Sequence, residues 1–381
     1  MAENAPADEA RPSSTAWYSQ PAEQSQALQD ERNPGADAHD THREGGTAQV
    51  GPFRPAWWSR GRHRQTAWNR LLRRAAHLPI CRARWTTPDA DFLDLDFMDG
   101  PVTSPQLLVI HGLEGSSDRP YVRGLLALAA ERGWRGVAMN FRGCSGSRNR
   151  TPRLYHSGDS GDLDWVISEL VKRDPAAPIL PVGISLGGNV LLKWLGEQSE
   201  LAPDEVRAAV AISTPFDLAA AAAKMSRGLG RLYTYLFLRT LKRKALHKAR
   251  EYPGLLDEKA VRRARNWRQY DDTVTAPLHD FRDAEDYWAR SSSLFYLERI
   301  RRPALLINSR DDPIVPASCL PDEVVERSEW IHAEFTSRGG HAGFVAGTLP
   351  WQPVYWAERR AVEFLASFVP TLRPARARTP H

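Results

Sequence analysis

Pro178-Ile-Leu-Pro-Val-Gly-Ile-Ser-Leu-Gly-Gly-Asn-Val-Leu-Leu-Lys-Trp-Leu-Gly196 joins three pieces of local structure. The apolar run Pro178 to Val182 reads as a short buried strand, and Gly183-Ile-Ser-Leu-Gly187 as a sharp turn. From Gly187 onward apolar residues recur at helical spacing, with Gly196 read as the C-terminal stop. A side chain lifted to the tip of a strand-to-helix turn needs glycines on both sides, because a Cβ there collides with the neighbouring strand or helix. Ser185 is the residue so presented, in the manner of a nucleophile elbow.

A serine hydroxyl is a weak nucleophile near neutral pH, so the turn predicts a base, an acid that orients it and donors for an oxyanion, in fixed chain order. Upstream, Gln106-Leu-Leu-Val-Ile110 reads as a buried strand running into His111-Gly-Leu-Glu-Gly115, where an oxyanion loop belongs. The backbone N–H groups of Leu113 and Leu186 are the expected oxyanion donors. Downstream, the strand Pro303-Ala-Leu-Leu-Ile-Asn308 delivers Ser309-Arg-Asp-Asp-Pro-Ile-Val-Pro316 at its carboxyl end. Asp312, followed by a rigid Pro-Ile-Val-Pro turn, is the favoured acid, and Asp311 is the alternative. Trp330-Ile-His-Ala-Glu-Phe335 then leads to Arg338-Gly-Gly-His-Ala-Gly-Phe344, where flanking glycines let the loop bring His341 back over Ser185. Each piece has a plain structural reading, since a His between glycines is often a turn residue and Asp-Asp-Pro opens many turns. Their occurrence in the required order, each after a strand, favours the catalytic one.

These residues, with Phe53-Arg-Pro-Ala-Trp57, Gln65-Thr66, Asn140-Phe-Arg-Gly-Cys-Ser-Gly146, Tyr155-His-Ser-Gly158 and Tyr270-Asp-Asp-Thr-Val-Thr-Ala-Pro277, resemble the YheT-like family of α/β-hydrolases. The resemblance covers nearly everything after the first fifty residues. It implies an α/β-hydrolase fold and the triad Ser185, Asp312 and His341, in a family of esterases that includes medium-chain acyl transfer to alcohols. The sequence departs from the family pattern in three places. Asp280 stands where the family usually has glycine after Pro-Leu-His, Asp89-Ala90 stands for Asp-Gly, and Arg60, Arg62, His63 and Arg64 dilute the apolar character near Gln65-Thr66.

The chain of 381 residues carries 51 Lys and Arg against 46 Asp and Glu, a formal net charge of +5. So small an excess, with scattered basic residues and no zinc-ligand or aromatic RNA-binding spacing, argues against nucleic acid as a partner. The dense cluster Arg239 to Arg250 reads as a solvated helix face, with peripheral contact to an anionic lipid surface the alternative. Cys81, Cys144 and Cys319 are odd in number and widely spaced, offering neither a disulfide framework nor a metal knuckle. No metal or organic cofactor is expected. The start lacks the apolar core of a secretory signal and no apolar run is long enough to span a bilayer, so a cytoplasmic location is expected.

Residues 1–52 are polar and rich in Ala, Pro, Ser and Gly, and are expected to be a disordered tail. From 53 to 381 a hydrolase domain is expected, with a mostly parallel central sheet and helices on both faces. Asp91-Phe-Leu-Asp-Leu-Asp-Phe97 alternates like a half-exposed strand, Arg135 to Phe141 reads as a buried one, and helices are expected over 118–132 and 162–172. After the strand Arg207 to Ser213 no further strand begins until residue 303, so about 215–298 reads as a helical cap over Ser185. Within it Tyr233, Tyr235 and Phe237 read as packing residues. His156 and Asp162 are read as loop bracing rather than a second catalytic pair, with Ser157 or Asp159 capping a helix, and Cys144 lacks a matched base.

The function these features predict is a serine carboxylic ester hydrolase acting on a small acyl ester through an acyl-enzyme. An acyltransferase with the same triad is the alternative, and a non-catalytic ligand-binding module the remote one.

Overall fold

Parallel strands buried on both faces need apolar runs rather than alternation, and five such runs form the middle of the sheet. In the computed structural model, which describes residues 50–370, the strands are β1 Cys81–Thr86, β2 Phe92–Met98, β3 Gln106–Ile110, β4 Arg135–Met139, β5 Ile179–Ile184, β6 Ala209–Ile212, β7 Ala304–Ser309 and β8 Ile331–Thr336. They lie in the order β1-β2-β4-β3-β5-β6-β7-β8. Every neighbouring pair from β4 to β8 is parallel, and β2 runs antiparallel to both β1 and β4. Helices α1 Arg62–Leu71, α2 Pro120–Glu131, α3 Ser160–Arg173 and α4 Leu186–Gln198 flank this sheet. The expected tail lies outside the described residues except for its last three, 50–52.

Three expectations need correction. β2 is buried along its whole length rather than half exposed. Its apparent polar face is covered because Asp94 and Asp96 are paired with Arg84 and Arg82 of β1 at 2.8 and 2.6 Å. Gly196 does not end α4, which runs on to Gln198. A Cβ at Gly196 would stand 2.2 Å from the Tyr296 carbonyl oxygen, so the glycine admits a crossing segment instead. Asp159 occupies the N-cap position of α3 without bonding the helix, because its carboxylate accepts from Arg153 at 2.6 Å.

Between β6 and β7 the chain is helical, beginning with α5 Leu218–Met225 and α6 Gly230–Glu251, and including a π-helical turn at Asp271–Thr275. The inner face of α6 buries Thr234, Leu238, Leu241, Ala245, Lys248 and Ala249 at the spacing of one helical stripe. Lys248 is held there by the Asn149 carbonyl at 2.7 Å, so the basic cluster of α6 is not uniformly solvated.

Two departures from the family pattern acquire a physical meaning in the backbone. Ala90 and Asp280 both adopt left-handed conformations, with φ of 61° and 56°, where glycine carries no Cβ penalty. Ala90 lies in the exposed turn between β1 and β2, so Ala90→Gly should stabilise the protein by about 1 kcal/mol. The check is a urea titration, in which the midpoint should rise at constant slope. Asp280→Gly should gain less, because Asp tolerates this region better than Ala.

Candidate active site

The turn after β5 is forced by contacts that only glycines allow. A Cβ on Gly183 would lie 2.4 Å from the Gly187 carbonyl oxygen, and one on Gly187 would lie 2.3 Å from that of Ile110. Between them Ser185 is held at φ 55° and ψ −119°, a conformation that costs a non-glycine residue on the order of 1–3 kcal/mol. Its N–H donates to the Ile212 carbonyl at 2.8 Å, and its own carbonyl receives the first α4 bond from Asn189 at 3.1 Å. The hydroxyl is thereby fixed above the carboxyl ends of the strands.

His341 and Asp312 meet Ser185 there. His341 Nε2 lies 2.8 Å from Ser185 Oγ, and Nδ1 lies 2.8 Å from Asp312 Oδ2. Asp312 is completely buried, and its other oxygen accepts the N–H groups of Ile314 and Val315 at 2.7 and 3.0 Å. Those two bonds orient the carboxylate so that Oδ2 alone faces the imidazole. With a carboxylate at Nδ1, that nitrogen carries the proton and Nε2 accepts from the serine hydroxyl. Of the two adjacent aspartates, Asp311 turns elsewhere: Oδ1 accepts from the Ser309 hydroxyl and from the Gly340 N–H at 2.9 Å. Asp311 therefore holds the loop that carries His341.

That loop is gripped from the far end of the sequence. The Thr66 hydroxyl accepts the His341 N–H at 2.9 Å, Asn69 donates to the Ala342 carbonyl at 2.5 Å, and Gln65 accepts the Val345 N–H at 2.6 Å. The Ser213 hydroxyl takes the Ala342 N–H at 2.8 Å. So the Gln65-Thr66 motif holds the loop that carries His341. Reading the sequence alone missed this, because partners some 275 positions apart leave no local pattern.

The loop His111 to Gly115 packs directly on Ser185, and a Cβ at Gly112 would lie 3.1 Å from Ser185 Cβ. His111 is a brace: Nδ1–H donates to the Gly112 carbonyl at 2.7 Å while Nε2 accepts from the Phe141 N–H at 3.2 Å. Burial pushes its pKa down to about 4, so it stays neutral in that double role. The Gly112 and Glu114 N–H groups are taken by the hydroxyls of Tyr121 and Tyr155, at 3.1 and 2.8 Å. Among the described residues no acceptor takes the N–H of Leu113 or of Leu186, and both residues line the cavity beside Ser185. Glu114 is further fixed by the Tyr155 hydroxyl at 2.8 Å and by Lys244 of α6 at 2.6 Å, which ties the helical insertion to this loop.

Two chambers meet at Ser185. The larger has an empty volume of about 1000 Å³, its open mouth included, and is walled by residues of the insertion such as Leu218, Ala222, Met225, Leu241 and Val274. Phe237 projects into it, so this aromatic is not only packing, whereas Tyr235 faces solvent. The smaller chamber, about 640 Å³, is bounded by Thr66, Asn69, Arg119, Tyr121 and His341. His156 lies on the wall of the larger one against His279, with ring centroids 4.4 Å apart, and so braces the insertion rather than the sheet. Asp162 pairs with Arg142 at 2.7 Å and does not approach His156. Burial raises the Cys144 thiol to about 11, and its sulfur lies 3.3 Å from Lys244, which leaves it unsuited to nucleophilic work. Among the described residues no cluster of His, Cys, Asp and Glu could hold a metal ion.

Asp271 gives the larger chamber a pH-sensitive wall. Burial raises its carboxyl to about 7, against bonds from Thr275 and the Trp288 indole that favour the anion. A carboxyl raised above its unfolded value contributes stability that is complete below about pH 4 and is lost as pH rises through 7, on the order of 4 kcal/mol in all. Asp271→Asn should therefore come closest to the wild type in melting temperature near pH 4, already lie above it at pH 5, and exceed it by several degrees at pH 9. An equal difference at all three values would show that the carboxyl titrates normally.

Residues 105–324 match the model of the alpha/beta hydrolase fold family. YheT of Escherichia coli is 39% identical over 315 residues, 81% of this chain and 91% of its own length. The human phospholipase ABHD3 is 30% identical, with 71% of this chain and 68% of that protein covered. The monoacylglycerol lipase of Saccharomyces cerevisiae is 32% identical over 63% of this chain and 55% of its own length. An esterase of Pyrococcus furiosus shares the fold with a TM-score of 0.51 at 19% identity, covering 78% of this chain and 98% of its own. With the family model spanning more than half of its length, the chain belongs to the α/β-hydrolases and, within them, to the YheT-like family.

Proposed function

We propose that the protein is a serine hydrolase that cleaves carboxylic esters with medium or long acyl chains. The observation that carries this reading is the unbroken line from Asp312 through His341 to the Ser185 hydroxyl, opening into an apolar chamber. Ser185 attacks the ester carbonyl while His341 Nε2 takes its proton, and Asp312 stabilises the imidazolium. The N–H groups of Leu113 and Leu186 receive the oxyanion; loss of one such donor typically costs about 3 kcal/mol. His341 returns the proton to the leaving alcohol, and water then releases the acid. The relatives named as a phospholipase and a monoacylglycerol lipase support esters of glycerol as the substrate class.

The test is kcat/KM across a series of esters from acetyl to dodecanoyl. An apolar wall gains about 0.8 kcal/mol for each CH₂ it buries, so the value should climb several-fold per carbon to a cutoff. Ala222→Phe, which fills part of the insertion's inner wall, should shorten that cutoff. A profile that stays flat and ignores this substitution would remove the insertion from the acyl site. The second chamber favours one other reading, acyl transfer, because an alcohol could occupy it while the acyl chain remains on Ser185. Products formed with added ethanol separate the two: ethyl esters mark transfer, free acid alone marks hydrolysis.

A further inference from the structure

The outer face of α6 takes no part in the chemistry proposed above. Leu232 and Tyr235 are 55% and 62% exposed there, and Leu229 and Leu236 beside them are exposed as well. One turn further on, the same face presents Arg239, Arg243 and Arg250. At 100° per residue Leu232, Leu236, Arg239, Arg243 and Arg250 fall on one stripe of the helix, apolar in its first half and cationic in its second.

A groove of about 1820 Å³, its open side included, runs beside this stripe between α6 and residues 262–266, and the stripe's cationic half lines it. Seven of its lining residues are Arg or Lys and none is Asp or Glu. Glu258 pairs with Arg262 at 2.7 Å and reaches Arg250 at 4.0 Å. Among the described residues Arg231, Arg239, Arg243 and Arg265 have no carboxylate partner. Like charges gathered this closely repel one another and are a cost to the folded chain unless an anion neutralises them. The protein's formal charge of only +5 makes the concentration local rather than general.

We infer that this face docks on an anionic lipid bilayer, with Leu229, Leu232 and Leu236 entering the headgroup boundary and the groove cations taking lipid phosphates. Charge by itself would suit any polyanion. The exposed leucines on the same stripe select among them, since a nucleic acid offers phosphates but no apolar layer, whereas a bilayer offers both within one helix length. Among the described residues no helix is long and apolar enough to cross a membrane, so the contact is with the surface. Met225 lines both this groove and the Ser185 chamber, which puts the docked face beside the catalytic pocket. The inference rests on exposure and charge and does not depend on the hydrolase reading.

The experiment is co-sedimentation of the full chain with phosphatidylcholine vesicles, with and without about one third phosphatidylglycerol. The wild type should bind the anionic vesicles at least about 10-fold more tightly than the neutral ones, and high salt should weaken this. Arg239→Glu with Arg243→Glu should lose about 10-fold or more on the anionic vesicles, and Leu232→Ser with Leu236→Ser should lose a comparable amount. Both variants should hydrolyse a soluble short ester like the wild type if that activity is present, and otherwise should keep the wild-type melting temperature. Equal affinity for the two vesicle types, or no loss in either variant, overturns the inference. So does tighter binding of a short RNA or DNA duplex that disappears in the arginine variant.

Discussion

Ser185→Ala should leave the protein unlabelled by a fluorophosphonate that labels the wild type, and should lower kcat by about 10⁶. Only a hydroxyl is removed, and it points into the chamber at 2.8 Å from His341 Nε2 rather than into the core. Alanine meets the same backbone strain as serine at φ 55°, so the unfolding midpoint should barely move. The large loss and the unchanged fold belong together in this expectation. A nucleophile that also packed the core would lose both, and one that served only as a turn residue would lose neither. Equal labelling of the two proteins would remove Ser185 from the chemistry altogether.

The parts of the fold that could be read from the sequence are those whose cause is local. The elbow needs small residues at Gly183 and Gly187 because backbone lies within 2.4 Å of the missing side chains, and such a demand is visible as a motif. The parallel strands β3, β5 and β7 are apolar through their middles because both faces are covered, so their runs stand out with nearly correct limits. β2 misled for the opposite reason. Its Asp94 and Asp96 look like a solvent face, and only the arginines of β1, paired with them across the strand register, show that it is covered.

What the sequence hides about the site is its support. Glu114 was visible as part of a loop motif, yet nothing nearby announces that Lys244, 130 positions later, holds its carboxylate. Thr66 and Ser213 hold the His341 loop through its backbone, a contact that any small hydroxyl could make and that therefore has no distinctive spacing. Asp280 and Ala90 were visible only as departures from a pattern, and φ supplies the reason glycine is usual there. For Glu114, Thr66 and Ser213 the missing information is a pairing between remote segments, set by how the sheet and the insertion close on each other, whereas for Ala90 and Asp280 it is a local backbone angle.

The adjacent aspartates are the point at which sequence reading stopped short, and their contacts predict opposite fates for the same substitution. In Asp312→Asn the amide oxygen can still accept from Ile314 and Val315, since those two N–H groups need an acceptor. The amide NH₂ is then left facing His341 Nδ1, at the position now 2.8 Å away. Nδ1 must turn acceptor, Nε2 takes the proton, and the imidazole can no longer receive one from Ser185. By analogy with loss of the acid in other triads, kcat should fall by about 10⁴ with KM little changed. In Asp311→Asn the oxygen that serves the Ser309 hydroxyl and the Gly340 N–H can be kept, so the His341 loop stays in place and the loss should be about 10-fold or less. Steady-state kinetics of the two variants on one ester decides between them. If Asp311→Asn proves the more damaging while Asp312→Asn keeps most of its kcat, the carboxylate that matters to His341 during turnover is Asp311, and the loop must rearrange to bring it to Nδ1 before Ser185 can act.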